Sequence, residues 1–274
     1  MCDFSVRLIL VLLSWISKGG YMEITLWDAL FWAFVSVSGI IIGALLGVYV
    51  KFTHNTISKI MALAAGVLIA AATIELASEA IKHTGIAFAL LAFMIGGAGF
   101  SFGNALLSKK EAQNRKRCGC VAQPTEENVP GSGLAITLGT AMDAVPEGIV
   151  LGLSLFTQGV NLPLILAIAL GNLPEAISGS VGMLGANRTK AWILKLWGEV
   201  AVGTVILTLL GFVFAKYISS EGVALLELFG AGALIAMVSE TLIPEAFHGT
   251  PKYSGTIVTL GFALLLLIQA SLSH

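Results

Sequence analysis

Five polar side chains stand inside apolar stretches of the chain: Asp143, Glu147, Asn172, Glu175 and Glu199. A charged side chain at mid-bilayer costs about 2.5 to 3.5 kcal/mol on insertion scales, so four carboxylates there call for a compensating group. The stretches 133–157 and 162–186 contain no Lys, Arg or His, which leaves protonation, a wet cavity or a bound cation. Spacing favours the cation. Asp143 and Glu147 are four residues apart and Asn172 and Glu175 three, so each pair projects from one face of a helix. Two such helices facing one another present a cage of oxygens. Pro146 and Pro174 each remove a helical hydrogen bond, which frees the carbonyls of Met142 and Leu170 one turn back as further oxygen ligands.

The ligand type narrows the ion. His54, His83, His248 and His274 all fall at span ends, in loops or at the terminus, so the core set is built from oxygen. Oxygen cages suit Mn²⁺, Fe²⁺, Mg²⁺ or Ca²⁺ and take Zn²⁺ without its usual nitrogen or sulfur.

The elements that must position these residues follow from composition. Of 274 residues, 57% are hydrophobic and 11% charged, less than half the charge of an ordinary soluble domain, which excludes that class. Apolar runs near 27–50, 60–81, 86–107, 133–157, 162–186, 191–215, 223–247 and 254–273 each match the roughly 20 residues a helix needs to cross a bilayer. They are continuous and lack the alternation of a barrel strand. The fold expected is an all-α integral membrane protein of eight transmembrane helices. A net charge of −1 argues against a nucleic-acid partner, and three cysteines cannot build a disulfide framework.

Eleven of the 15 basic residues fall in one set of loops, among them Lys109, Lys110, Arg115, Lys116 and Arg117. The positive-inside rule then puts both termini outside and the 108–131 loop in the cytoplasm. Residues 1–25 read as an N-terminal extension whose apolar Phe4 to Ile16 is too short to span and is interrupted by Arg7; residues 26–274 form the membrane domain. Cys118 and Cys120 in the basic loop read as solvated, reduced thiols.

An internal repeat is visible at an offset of 166: Ala65-Gly66-Val67-Leu68-Ile69-Ala70 matches Ala231-Gly232-Ala233-Leu234-Ile235-Ala236, and Glu79-Ala80 matches Glu245-Ala246. The second and seventh spans run oppositely, the trace expected of inverted halves around a central site. Glu75 and Glu79 then lie near the outer end of span two, where negative charge concentrates cations at an entrance. Glu240 and Glu245 lie near the inner end of span seven and line the exit. The alternative for all four is an interfacial acid reaching headgroup water. Gly39, Gly43 and Gly47, and Gly99 with Gly103, give smooth faces for close helix contact.

Eight spans, a basic loop between spans three and four, paired Pro-Glu helices in spans four and five, and Leu242-Ile243-Pro244-Glu245-Ala246 closing span seven resemble the ZIP family of divalent metal transporters, especially its bacterial GufA-like branch. The similarity covers roughly residues 27 to 273. It implies a two-metal site at mid-membrane in which Glu147 and Glu175 are the bridging carboxylates and Glu199 is the span-six ligand. By the same resemblance Asp143 stands where the family usually has His, Ala144 where it has Asn, Gly171 where it has His or Gln, and Asn172 where it has Asp or Asn. Leu68 stands where the branch often has a Met ligand. Those departures leave zinc preference and the second metal open. The resemblance implies inward transport of Zn, Fe, Mn or a similar ion across a plasma or inner membrane, the metal being substrate and no cofactor being needed. The partners implied are divalent metal ions and the lipid bilayer, with a homodimer as an open option. The competing readings are an intramembrane metal-dependent hydrolase and a transport-inactive scaffold or metal sensor. The first lacks any His-Glu-x-x-His or Gly-x-Ser-x-Gly motif, the arrangements such chemistry uses.

Overall fold

The computed structural model describes residues 24–108, 125, 127–128, 132–249 and 252–272. The expected N-terminal extension lies almost wholly outside the described residues, as do the 109–117 basic cluster, Cys118, Cys120 and His274. Every regular element among the described residues is helical, and eight helices are long and apolar enough to cross a membrane. They are α1 (Leu26–Tyr49), α2 (His54–His83), α3 (Ile86–Ser108), α4 (Ser132–Thr157), α5 (Leu162–Gly185), α6 (Lys190–Ala215), α7 (Ser220–His248) and α8 (Ser254–Leu272).

Side-chain caps set several starts. Thr25 and Asp28 form a reciprocal capping box at α1, Thr53 caps α2, Asn161 caps α5 through Leu164 N at 3.0 Å, and Ser219 caps α7. Such caps satisfy backbone donors that a helix start otherwise leaves unpaired. They also explain why α2 begins six residues before its apolar run. The polar turn His54–Lys59 is helical because Thr53 starts it, and hydropathy reads the apolar run rather than the helix.

Pro146 and Pro174 sit inside continuous helices, so neither breaks its span. The departures from α geometry lie elsewhere, in π-helical segments at Ala71–Ala77 of α2 and Val238–Leu242 of α7. These coincide under the same 166-residue offset that relates the two sequences. Hydroxyls bond back to carbonyls in both places: Thr73 to Ile69 O at 2.7 Å and Thr241 to Met237 O at 2.7 Å. Such back-bonding competes with the regular helical ladder.

Packing runs along glycine seams. A Cβ on Gly39 would lie 1.9 Å from Ala169 O, one on Gly43 2.3 Å from Leu173 O, and one on Gly47 2.7 Å from Ser180 Cβ. The contacts step forward together along α1 and α5, so the two helices run parallel, as a first and a fifth span must. Gly152 against Thr208 O at 2.1 Å makes the matching seam between α4 and α6. Gly66 and Gly261 seat α2 on α8, while Gly96 and Gly232 seat α3 on α7. The pairs α1/α5 and α6/α4, like α2/α8 and α7/α3, are counterparts under the repeat. The site helices α4 and α5 therefore share one packing group with α1 and α6, against a second group of α2, α3, α7 and α8.

Candidate metal site

Asp143, Glu147, Asn172 and Glu175 are all buried, at 3%, 1%, 5% and 4% exposure. Both oxygens of Glu147 and one of Glu175 are shut off from solvent. The Nδ2 of Asn172 is buried with no hydrogen-bond partner among the described residues. Turning that amide presents its oxygen in the same place, which suits a cation better than a donor does. All four are acid or amide groups buried within the bundle, on two helices that carry no basic residue.

Glu199 departs from this group. Its side chain is 58% exposed and pairs with Lys195 at 3.6 Å. It lines a separate groove of about 160 Å³ between α4 and α6, with Thr137, Ala141, Ala144 and Thr204. Among the described residues, no three His, Cys, Asp or Glu side chains converge as a ready metal cluster. Glu199, which the resemblance adds to the four residues marked by spacing, stands exposed on α6 while the other four are buried.

Leu68 and Gly171 explain each other. A Cβ on Gly171 would lie 2.6 Å from Leu68 Cδ1, and Leu68 is 1% exposed. The leucine fills the volume that a side chain at 171 would need, so an apolar plug occupies the two positions next to Asn172.

The four outlying acids differ among themselves. Glu75 is 7% exposed and accepts a bond from Asn161 Nδ2 at 3.0 Å. Glu79 is half-exposed and held by Lys82 at 2.5 Å, with His83 at 3.8 Å. Glu240, in the π segment of α7, accepts from Ser101 Oγ and from Asn104 Nδ2 at 2.7 Å. Glu245 is 1% exposed, and Ser58 Oγ donates to its backbone carbonyl at 3.4 Å. Glu75 and Glu245 are thus enclosed in the bundle, whereas Glu79 and Glu240 keep part of their surface exposed. Glu227 went unnoticed in the spacing: it is 3% exposed and accepts from Thr157 Oγ1 at 3.0 Å. Its place inside the apolar run Leu225-Leu226-Glu227-Leu228-Phe229 was the available signal, since intramembrane acids are rare and functional.

Charged side chains mark one end of the bundle. Lys190 at the start of α6 lies over Tyr49 at the end of α1, 4.7 Å from the ring centroid, and Arg188 lies 5.1 Å from that of Trp192. Aromatic and basic residues of this kind anchor a helix end at a membrane interface.

A model of the ZIP zinc transporter family matches residues 107–269. None of the curated proteins matches the chain.

Proposed function

The chain belongs to the ZIP zinc transporter family, whose members move divalent metal cations across membranes, and from that premise we propose an inward metal transporter with its core site on α4 and α5. Asp143, Glu147, Asn172 and Glu175 are the proposed ligands, and Zn²⁺, Fe²⁺ or Mn²⁺ the proposed cargo. The observation that carries this reading is the burial of all four side chains, at 5% exposure or less, in two helices without a single basic residue. A divalent ion supplies the missing positive charge and favours the ionised carboxylates. Bringing the ligands together is then the ion's work, consistent with a set that is buried but not preformed.

Glu199 takes part, in this proposal, only from the flank, since it lies exposed beside Lys195. The plug of Leu68 over Gly171 leaves no nitrogen or sulfur ligand, which supports a harder, more oxygen-rich preference than zinc alone would select. Placement in the GufA-like branch rests on the paired Pro-Glu helices and on Leu242-Ile243-Pro244-Glu245-Ala246, with Leu68 departing from its pattern. Orientation with both termini outside, in a plasma or inner membrane, rests on the basic asymmetry, and residues 26–274 act as one transporter domain.

The test is uptake into proteoliposomes by wild type, Glu147→Ala and Glu175→Ala, with Zn²⁺, Mn²⁺, Fe²⁺ and Cd²⁺ in competition. Both variants are expected to insert normally, since removing a buried carboxylate lowers the insertion cost, and to lose uptake. Full uptake by both single variants would overturn the site.

A further inference from the structure

Two hydrogen bonds tie the α4–α5 hairpin to the other packing group, and both lie at the same end of the bundle. The hairpin carries all four proposed ligands and turns at 157–161, opposite the basic loop. Thr157 Oγ1 donates to Glu227 of α7 at 3.0 Å, and Asn161 Nδ2 donates to Glu75 of α2 at 3.0 Å. Both acids are buried, at 3% and 7% exposure. The hairpin packs with α1 and α6, whereas α2 and α7 pack with α3 and α8.

The tip between those two bonds is held as one piece. Gly159 turns it at φ +76°, a region glycine enters without a steric penalty. Asn161 Oδ1 caps α5, and Asn161 Nδ2 also bonds Gln158 Oε1 at 2.9 Å. A pull on either acid therefore reaches the ends of both site helices.

Below the tip, the surface between the groups differs from the seams within them. Within a group the glycines admit backbone: a Cβ on Gly39, Gly66, Gly152 or Gly232 would lie 1.9 to 2.1 Å from a carbonyl oxygen of the facing helix. Between the groups they face the ends of side chains, Gly171 against Leu68 Cδ1, Gly230 against Val150 Cγ2 and Gly103 against Met142 Sδ. Side-chain ends can rearrange where a backbone seam cannot, so shear between packed helices is easiest on this surface. Glu75 itself stands in the π segment of α2, a geometry frequent at functional positions.

We propose that Glu75 and Glu227 are the two arms of a latch that holds the α4–α5 tip against α2 and α7, and that its release opens this end of the bundle toward the ligands. The latch rests on the transport reading, in which a central site is exposed to one side at a time. In the proposed orientation the latched end is the outer one, so release precedes entry of the ion.

Thiol labelling in detergent reads the latch whichever way the chain is oriented. The reporter is Val150→Cys, on the surface between the groups and about 10 Å along α4 from Thr157, in a chain whose Cys2, Cys118 and Cys120 are replaced by Ser. Glu75→Met and Glu227→Met remove the acceptors without stranding a donor, because Asn161 keeps Gln158 and Thr157 keeps Leu153 O at 3.1 Å. Each should raise the labelling rate about tenfold or more, as the loss of one hydrogen bond to a charged group implies. A Ser180→Cys reporter in the seam between α1 and α5 should stay slow. An unchanged rate at position 150 with both acids replaced, or an equal rise at 180, overturns the latch. Should the variants not fold, Thr157→Cys with Glu227→Cys, joined by a reducible thiol cross-linker, should stop uptake into proteoliposomes until the link is reduced; uptake untouched by the link overturns the proposal. A wild-type chain that moves no divalent ion would overturn the transport reading, while the labelling rates still decide the latch by themselves.

Discussion

At Asp143 the choice of carboxylate over imidazole sets the expected hardness of the site. Asp143→His should shift the uptake ratio toward Zn²⁺ over Mn²⁺, because imidazole suits zinc better than an oxygen ligand does; competition between the two ions measures it. An unchanged ratio with retained uptake would remove Asp143 from the ligand set. Gly171→His should fail on its own, since its Cβ starts 2.6 Å from Leu68 Cδ1. The overpacking expected costs about 1 to 3 kcal/mol, visible as a lower melting midpoint, and pairing it with Leu68→Ala should recover most of that loss. The sequence alone marks the buried set of Asp143, Glu147, Asn172 and Glu175 through spacing. Glu199 lies exposed beside Lys195, a pairing that their four-residue spacing on α6 already offered. Contact between Leu68 and Gly171, 103 positions apart in the chain, has no local trace at all.

The helices themselves were legible because bilayer thickness imposes a length that composition reveals. Their ends were less so, since Thr53 and Ser219 extend α2 and α7 beyond the apolar runs. The two π segments were invisible: Ala71–Ala77 and Val238–Leu242 have compositions an α-helix accepts equally well. By contrast the glycine face of α1 reads directly from its four-residue period, and it carries a prediction. Gly39→Leu should break the seam with α5, since even a Cβ would meet Ala169 O at 1.9 Å. A loss of about 3 kcal/mol or more is expected, the upper end of overpacking, read as a fall in the thermal midpoint in detergent. Gly203→Leu is the control, because nothing lies within 4 Å of a Cβ there and the midpoint should hold.

For the whole molecule, parallel running of α1 with α5 and of α4 with α6 agrees with eight consecutive crossings. The orientation of that bundle is tested by Glu79→Cys in a chain whose native cysteines are replaced by Ser. Glu79 is partly exposed and paired only at the rim, so an impermeant thiol reagent should label the variant from outside the cell; labelling only from the cytoplasm would invert the topology. The packing groups also interleave along the chain, α1 joining α4, α5 and α6 while α2 and α3 join α7 and α8. That order has a consequence for biosynthesis. Gly39 meets Ala169, 130 residues later in the sequence, and at roughly 5 to 20 residues per second the ribosome needs about 7 to 26 s to deliver it. Through that interval the first helix sits in the lipid with its glycine groove unfilled, and neither half of the nascent protein can finish assembling before the fifth crossing arrives.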